Sequence, residues 1–356
     1  MIDANLNRSS EGLRVLEDVA RFVLNDAELS RRLKSLRHDL ARQTKPLSMN
    51  LLSDRDSQHD VGRPGSKCKG KGFNLETSSL QGLADLVTAN AKRVEESLRV
   101  VEDLARLPEL SSMLNSAGFG QTRFTVYALE RDLISRISRR TKTERIFGLY
   151  VILDRQFLSG RDELDTASQI IEGGARVIQL RDKQSKRGEL LLVARKLKEL
   201  CSEAGVLLMV NDYLDLALAA DADGLHVGQE DFPLSVARGQ LPIDKIIGCS
   251  VTTVSQAAKA QGEGADYVAV GSIFPTATKK EAIVVGVEML KELRQTVSVP
   301  VVAIGGMNQN NIADVIAAGA DAVAVISAAL GQKDVRGAVQ RLVAEIDSVK
   351  GKCQNR

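Results

Sequence analysis

The chain has 356 residues, of which 44% are hydrophobic and 26% are charged, and its formal net charge is +2. The length favours two domains, and the composition is typical of a soluble globular protein. The small net charge and an aromatic content of 3%, with no Trp, argue against a nucleic-acid partner.

The start of the chain and its cysteines indicate a cytoplasmic protein. Residues 1–5 lack the basic and apolar regions of a signal peptide, and no apolar run approaches the roughly 20 residues of a membrane span. The four cysteines lie far apart without paired spacing, so the sequence suggests neither a zinc site nor a disulfide framework. We therefore expect a reducing compartment and no membrane partner.

Residues 1–145 predict an all-α domain, because helix-forming residues dominate and apolar residues recur at helical spacing. One such series is Leu29, Leu33, Leu36 and Leu40. Residues 2–22 also align with residues 87–107, which is an internal repeat. We therefore predict a duplicated helical hairpin. The polar segment 53–79 is predicted to be a flexible loop that joins the two copies.

The polar positions that recur in the two copies have two interpretations. They are Asn5, Arg8, Glu11, Arg14, Glu17, Asp18 and Arg21 in the first copy, and Asn90, Arg93, Glu96, Arg99, Glu102, Asp103 and Arg106 in the second. Charge-rich helix faces are usually solvated, and neighbouring charges on them form i,i+3 and i,i+4 pairs. The alternative is a ligand pocket or a self-association surface between the copies. The second of these would make the protein a homo-oligomer.

Residues 146–350 predict a (β/α)8 barrel, also called a TIM barrel, which makes the whole chain α/β with an all-α domain in front. Short β-branched runs alternate with amphipathic stretches. The eight predicted strands are Leu149–Leu153, Ala175–Leu180, Leu207–Val210, Gly224–Val227, Ile246–Val251, Tyr267–Val270, Val299–Ile304 and Ala322–Ile326. In such a barrel the chemistry belongs to the loops that follow the strands.

Basic and polar side chains follow the second predicted strand. Strand alternation places Gln179, Arg181 and Lys183 on one side as the strand enters its loop. An inward Arg at a barrel mouth needs an anion. Both an ion pair with Asp182 or another loop carboxylate and a substrate phosphate would supply one.

Three later loops favour the phosphate. The loop after the sixth strand carries hydroxyl and lysine groups at Thr276, Thr278 and Lys279. Hydroxyls satisfy phosphate oxygens, and a Lys adds a point charge. Gly305 and Gly306 follow the seventh strand, and Ile326 and Ser327 end the eighth. These two loops are the usual phosphate site of a barrel, although a Gly-Gly pair also serves as a simple turn.

Two acidic residues follow adjacent strands, Asp212 after the third and Asp231 after the fourth. Magnesium usually takes one or two protein carboxylates and completes its shell with water and substrate phosphates. The pair therefore predicts a Mg²⁺ site. The alternative makes Asp212 the N-cap of a helix over residues 213–220.

Three residues near these loops have less specific roles. His226 alternates with apolar neighbours, so it is placed towards the barrel interior, where a hydrogen-bonded structural His and a proton carrier are both open. Cys249 has no His or Asn arranged as a catalytic partner and is interpreted as packing. Ser250 is interpreted as a polar contact.

With these loops together, residues 146–348 resemble the thiamine-phosphate synthase family along their whole length. The motifs that carry the resemblance are Gln-Leu-Arg-x-Lys at 179–183, Asn-Asp at 211–212, Gly-x-His-x-Gly-Gln-x-Asp at 224–231, Pro-Thr-x-Thr-Lys at 275–279, Gly-Gly at 305–306 and Ile-Ser at 326–327. The first 145 residues look like the helical extension of some bacterial members.

The resemblance implies that 4-amino-5-hydroxymethyl-2-methylpyrimidine diphosphate and 4-methyl-5-(2-hydroxyethyl)thiazole phosphate condense to thiamine monophosphate and pyrophosphate. The residues that it places against the pyrimidine and its diphosphate are Gln179, Arg181, Lys183, Asn211, Ser250 and Lys279, of which Arg181, Lys183, Ser250 and Lys279 are the catalytic candidates. Those matched to the thiazole phosphate are Thr276, Thr278, Gly306, Ile326 and Ser327. Asp212 and Asp231 match the magnesium ligands.

Two other functions compete with this one. A thiazole tautomerase of the same barrel family binds thiazole phosphate but handles no diphosphate, so it would not need the basic and acidic residues together. A regulatory protein would sense thiamine phosphates without turnover. Both sets of charged residues are present, which favours the synthase.

Overall fold

The protein is described by a computed structural model, which covers residues 1–45, 82–276 and 283–354. The chain divides into two compact units, Met1–Ser138 and Arg139–Arg356. The predicted domains meet between residues 145 and 146. The predicted flexible loop 53–79 lies outside the described residues, and so do Thr278 and Lys279.

The described part of the first unit is helical, as the sequence predicts. Its helices are α1 (Ile2–Asp18), α2 (Ala27–Thr44), α3 (Leu83–Leu104) and α4 (Ser116–Thr143), with a π-helical segment at Val19–Val23. Residues 139–143 of α4 belong to the second unit. Gly12 lets α1 approach α3 closely, because a Cβ at this position would lie 2.6 Å from the Cγ2 of Val94. Leucines and valines of these helices form one buried core.

The two hairpins repeat the same polar contacts. The Nδ2 groups of Asn5 and Asn90 donate to carbonyl groups one turn earlier, at 2.9 and 2.8 Å. Glu17 pairs with Arg37 at 3.0 Å, and Glu102 pairs with Arg123 at 3.1 Å.

These four repeated residues, Asn5, Glu17, Asn90 and Glu102, are at most 9% exposed, so the solvated-face interpretation is wrong for them. At the other five repeated polar positions, the Arg, Glu and Asp residues of both copies are exposed, as that interpretation expects.

The second unit is a closed barrel of eight parallel strands in sequence order. The strands are β1 (Gly148–Asp154), β2 (Val177–Arg181), β3 (Leu207–Asn211), β4 (Gly224–Val227), β5 (Ile246–Val251), β6 (Tyr267–Val270), β7 (Val301–Ile304) and β8 (Ala322–Val325). The barrel closes where β8 pairs with β1, with Ala322 opposite Gly148. All eight predicted strands are confirmed, and their ends differ by at most two residues.

Helices connect the strands. They are α5 (Glu163–Glu172), α6 (Arg187–Glu203), α7 (Leu214–Ala219), α8 (Leu234–Gln240), α9 (Val254–Gly262), α10 (Gly286–Thr296), α11 (Ile312–Ala317), α12 (Ser327–Leu330) and α13 (Val335–Gln354). None of the helices in the described ranges has the length and apolar character that a membrane crossing needs.

Alternation along the strands separates an outer core from an interior. Residues such as Val151 and Ile178 pack between the strands and the helices. The interior contains Val177 and Met209 but also the two large side chains of Tyr150 and Tyr267. The interior is therefore not purely aliphatic, because it also holds two tyrosine hydroxyl groups.

The amino ends of three strands share a local design. An Asp directly precedes β4, β6 and β8, and each Asp accepts a hydrogen bond from a backbone N–H at the start of the strand that comes before it in the sequence. The carboxylates are Asp223, Asp266 and Asp321, and the N–H groups are those of Leu208, Ile247 and Val301 at 3.0, 2.8 and 2.8 Å. Lys198, Arg238 and Arg294 pair with the same carboxylates. These contacts fix the end of the barrel that lies away from the predicted chemistry.

A cavity of about 300 Å³ also lies at the amino ends of β1 to β3. Its lining includes Phe147, Arg176 and Asp347, and none of the predicted site residues contributes to it.

Candidate active site

The predicted site residues that the structure describes all lie at or just beyond the carboxyl ends of the strands. They are Gln179, Arg181 and Lys183 at β2, Asn211 and Asp212 at β3, Asp231 after β4, Ser250 in β5, Thr276 after β6, Gly306 after β7, and Ile326 and Ser327 after β8. Because parallel strands of a barrel end on one face, these residues share one rim.

The two predicted metal ligands lie next to each other. The carboxyl groups of Asp212 and Asp231 are within hydrogen-bonding reach. The Nζ of Lys183 lies 3.1 Å from the Oδ2 of Asp212, and the backbone N–H of Gly228 donates to the Oδ2 of Asp231 at 2.7 Å. Burial, and after it the neighbouring Asp231, raises the pKa of Asp212. Two carboxylates this close repel when both are ionised, so the arrangement favours a shared cation.

Asp212 does not cap the following helix, so that alternative is wrong. Helix α7 begins at Leu214, and Tyr213 occupies the N-cap position without a side-chain cap. Asp212 has a φ of 61°, in the left-handed region that few side chains adopt. Its backbone N–H donates to the carbonyl of His226 at 2.8 Å. Backbone strain of this kind is often retained at functional sites, where surrounding contacts hold it.

Arg181 has a carboxylate partner that sequence reasoning missed. It forms an ion pair with Asp154 at the end of β1, whose carboxylate is 1% exposed. Asp182 instead lies 3.4 Å from Arg155 and accepts the backbone N–H groups of Gln184 and Ser185. The sequence pattern did indicate that Asp154 lies at the rim, because it follows an apolar run in the same way as the other rim residues.

His226 faces the barrel interior and is 6% exposed. Its Nδ1 lies 2.9 Å from the hydroxyl of Tyr267, and its Nε2 lies 2.9 Å from the Oγ of Ser250. Burial lowers the pKa of His226 to about 4, so the imidazole is neutral near pH 7. Cys249 is buried beside the helices, and burial raises the pKa of its thiol to about 11, which suits a packing role.

The loops after β6 and β7 pack as one unit. The N–H groups of Ile273 and Phe274 donate to the carbonyls of Ile304 and Gly305 at 2.9 and 3.1 Å. Gly306 has a φ of 66°, and a Cβ there would lie 2.5 Å from the carbonyl oxygen of Pro275. The glycine is therefore required for this contact, which holds the start of the Thr276 loop against the Gly-Gly turn.

At β8 the strand ends at Val325, and the short helix α12 begins at Ser327, which is exposed at the rim. The structure therefore brings Lys183, Asp212 and Asp231 into contact and places the β6, β7 and β8 residues around the rest of the same rim.

Fold and rim together define a (β/α)8-barrel enzyme whose paired charges suit anionic substrates. A sequence profile of the family described as thiamine monophosphate synthase matches residues 149–329. That is about half of the chain, and the chain belongs to this family. It is a transferase of thiamine biosynthesis.

Known relatives extend the similarity to both units. A thiamine-phosphate synthase of Synechocystis sp. is 36% identical over 349 residues, covering 98% of this chain and 96% of the relative. A thiamine-phosphate synthase of Nostoc punctiforme is 35% identical over 352 residues, covering 98% and 94%. Among solved structures, a thiamine phosphate pyrophosphorylase from Pyrococcus furiosus has 39% identity and a TM-score of 0.55, and covers 58% of this chain and 98% of its own.

The helical unit matches a family of its own. A profile of the ThiD2 family matches residues 1–132. The extension predicted from the sequence is therefore a recognised family region that its full-length relatives share.

Proposed function

We propose that this chain carries out the Mg²⁺-dependent condensation of the pyrimidine diphosphate with the thiazole phosphate, and that the rim residues above perform it. The observation that carries the proposal is the contact of Lys183, Asp212 and Asp231 at the end of a barrel that belongs to this family. The products are thiamine monophosphate and pyrophosphate.

The chemistry of the donor set fits magnesium. Mg²⁺ prefers carboxylate oxygens and usually takes one or two of them from the protein. Asp212 and Asp231 supply this number. Burial and, after it, the nearby Asp231 raise the pKa of Asp212, which a bound cation would counteract. When bound, Mg²⁺ would stabilise negative charge on the departing diphosphate.

The chain's own cations act on the same charge. Arg181 is held by Asp154 and Lys183 by Asp212, so both positive groups are oriented before substrate arrives. As the C–O bond to the diphosphate breaks, oriented cations lower the energy of the developing negative charge more than that of the bound substrate. Lys279 is proposed to add to them, although it lies outside the described residues.

The remaining steps need no covalent nucleophile. Breaking the C–O bond leaves a pyrimidine methylene cation, and the thiazole nitrogen forms the new C–N bond with it. Gln179, Asn211 and Ser250 are proposed to hold the pyrimidine. The thiazole phosphate is proposed to lie at the joined loops after β6 and β7 and at the end of β8, at Thr276, Thr278, Gly306, Ile326 and Ser327.

An assay with both substrates tests the function. The purified chain is incubated with the pyrimidine diphosphate, the thiazole phosphate and Mg²⁺, and thiamine monophosphate and pyrophosphate are measured together. We expect equal amounts of both products and none when either substrate is omitted. Binding of thiazole phosphate without product would exclude the synthase and favour a tautomerase or a sensor.

We also propose a cytoplasmic location, as the sequence suggests. Fractionation of the source cells, followed by detection of the chain, would test it.

A further inference from the structure

Five side chains form one line of hydrogen bonds through the barrel interior. They come from β2, β1, β6, β4 and β5, in the order Gln179, Tyr150, Tyr267, His226 and Ser250. The four contacts along this interior chain measure 2.7, 3.0, 2.9 and 2.9 Å. Each inner member touches the member before it and the member after it, so the chain joins two predicted substrate contacts at its ends.

The first contact sets the direction of the interior chain. The Nε2 of Gln179 can only donate, so the hydroxyl oxygen of Tyr150 accepts. The buried proton of Tyr150 can then be satisfied only by Tyr267, its other hydrogen-bond partner among the described residues, which leaves the proton of Tyr267 for the Nδ1 of His226. A neutral imidazole that accepts at Nδ1 carries its proton on Nε2.

Burial separates the three inner members from solvent. Tyr150, Tyr267 and His226 are 2%, 0% and 6% exposed. Burial raises the pKa of both tyrosines, so their hydroxyl groups keep their protons. Neutral groups without competing water retain one pattern of donors and acceptors, because reversing one link would leave two donors or two acceptors facing each other.

We propose that Tyr150, Tyr267 and His226 are positioning residues, which fix the Nε2–H tautomer of His226 so that Ser250 accepts from it and directs its own proton to an acceptor atom of the substrate. The inference rests on the proposed function, in which Ser250 contacts the pyrimidine. It adds the direction of the hydrogen bond, in which Ser250 donates to the substrate. Ser250 occupies the penultimate position of β5 and is only partly buried, so its hydroxyl is the end of the interior chain that substrate can reach.

This direction is opposite to that of a Ser-His nucleophile. In such a pair the hydroxyl donates to an unprotonated imidazole nitrogen, which then takes the proton. Here Nε2 holds a proton already, so it cannot accept the proton of the hydroxyl. The His226–Ser250 contact therefore orients a hydrogen bond and leaves the hydroxyl intact, which agrees with a reaction that forms no covalent enzyme intermediate.

The tautomer can be measured without turnover. Long-range ¹H–¹⁵N NMR spectra of the full chain labelled at its histidines distinguish the two tautomers, and a His226→Asn variant identifies the signal. We expect a protonated Nε2 and an unprotonated Nδ1 across the neutral pH range. A protonated Nδ1 in the wild-type chain would overturn the proposal, whatever the assay of product shows.

Two buried Tyr→Phe variants provide a matched comparison. Tyr267→Phe removes the donor to Nδ1, so we expect a mixed tautomer signal and a fall in kcat of about tenfold, with a smaller change in KM. Tyr150→Phe removes an equally buried hydroxyl but leaves Tyr267 able to donate, so we expect the Nε2–H tautomer to persist and kcat to fall less.

Equal effects of the two variants on tautomer and on kcat would contradict the proposed direction. If either variant fails to fold by circular dichroism, the tautomer of the wild-type chain decides alone. Absence of product from the wild-type chain would instead count against the proposed function, so the two failures are distinguishable.

Discussion

The guanidinium group of Arg181 forms an ion pair with Asp154, a carboxylate that is 1% exposed at the end of β1. A buried charge of this kind orients its partner strongly, because both would lose stabilisation if the pair separated. The Arg that is proposed to face the diphosphate is thus held in place by a neighbouring strand.

Asp154→Asn should release Arg181 while keeping the side-chain oxygen that accepts from Gln156 at 3.0 Å. We expect KM for the pyrimidine diphosphate to rise about tenfold because a charge-assisted pair is lost, and KM for thiazole phosphate to change little. Steady-state kinetics on both substrates measure this. Asp162→Asn, at an exposed helix cap nearby, is the control. Equal rises for both substrates would show a general structural effect.

Asp231→Asn should weaken the response to magnesium, since it removes one of two proposed ligand charges. We expect the Mg²⁺ concentration that gives half the maximal rate to rise about tenfold or more. Initial rates against Mg²⁺ concentration test this, with the exposed neighbour variant Glu230→Gln as the control. An unaltered curve at full activity would remove Asp231 from the metal site.

Gly306→Ala should separate the loops after β6 and β7. The φ of 66° and the 2.5 Å approach of a Cβ to Pro275 are both unfavourable for Ala. We expect a loss of roughly 1–3 kcal/mol in stability and weaker thiazole-phosphate binding, measured by denaturant unfolding and calorimetry. Gly239→Ala is the control, because nothing lies within 4 Å of a Cβ at that helical position. Unchanged affinity would separate this turn from the phosphate site.

Glu95 should make the helical unit more stable in acid. Burial, and then the neighbouring Glu130, raises the pKa of Glu95 from 4.5 to about 7. The folded state therefore binds this proton more tightly than the unfolded state, so stability is highest below about pH 4.5 and falls as pH rises towards about pH 7. We expect the change to be roughly 1–3 kcal/mol.

The Glu95→Gln variant should lose most of this pH dependence, since its side chain does not ionise. Hydrogen exchange of residues 83–104 between about pH 5 and about pH 8, corrected for intrinsic rates, measures local stability. Glu11→Gln, at an exposed position, should behave like the wild-type chain. A variant with the same pH dependence as the wild type would assign it to other groups.

The barrel should form product without the first unit, provided that it keeps Arg139. The guanidinium of Arg139 lies 2.7 Å from the Oδ1 of Asp266, and both residues are at most 9% exposed. A chain starting at Arg139 should therefore match the full chain in rate. One starting at Thr143 should be roughly 3 kcal/mol less stable, because Asp266 loses a buried partner.

Thermal unfolding and the product assay compare the two shortened chains. Equal stability would show that Arg238 alone satisfies Asp266. A folded chain from Arg139 that becomes active only when residues 1–138 are added back would place part of the site on the helical unit.

Much of the barrel could be predicted because the sequence patterns that indicate its strands are local. Each strand is a short β-branched run, and each rim residue lies at or just beyond the carboxyl end of one. The order of the residues along the chain therefore already placed Asp212 and Lys183 on the same face of the barrel. The sequence could not decide whether Asp212 caps the following helix. The answer depends on its left-handed φ, which Asp tolerates but does not require.

The sequence alone could not show which side chains from different strands contact each other. Tyr150 and Tyr267 are 117 residues apart, and nothing in their local pattern distinguishes an interior hydroxyl contact from ordinary packing. The pair of Asp154 with Arg181 was missed because it depends on the register between the neighbouring strands β1 and β2, which places these residues opposite each other. The local sequence pattern predicts which residues reach the rim, whereas strand register and the closure of the barrel decide which of them are in contact.

The aspartates at the amino ends of the strands have a consequence for how the barrel folds. Asp223, Asp266 and Asp321 contact N–H groups only 15, 19 and 20 residues earlier, so each contact closes a short loop. The pairing of β8 with β1 instead joins the two ends of the barrel sequence. Because closure entropy grows with loop length, the short contacts are formed at lower cost than that seam. Assembly should therefore proceed from neighbouring strand pairs, with the joining of the first and last strands as its final event.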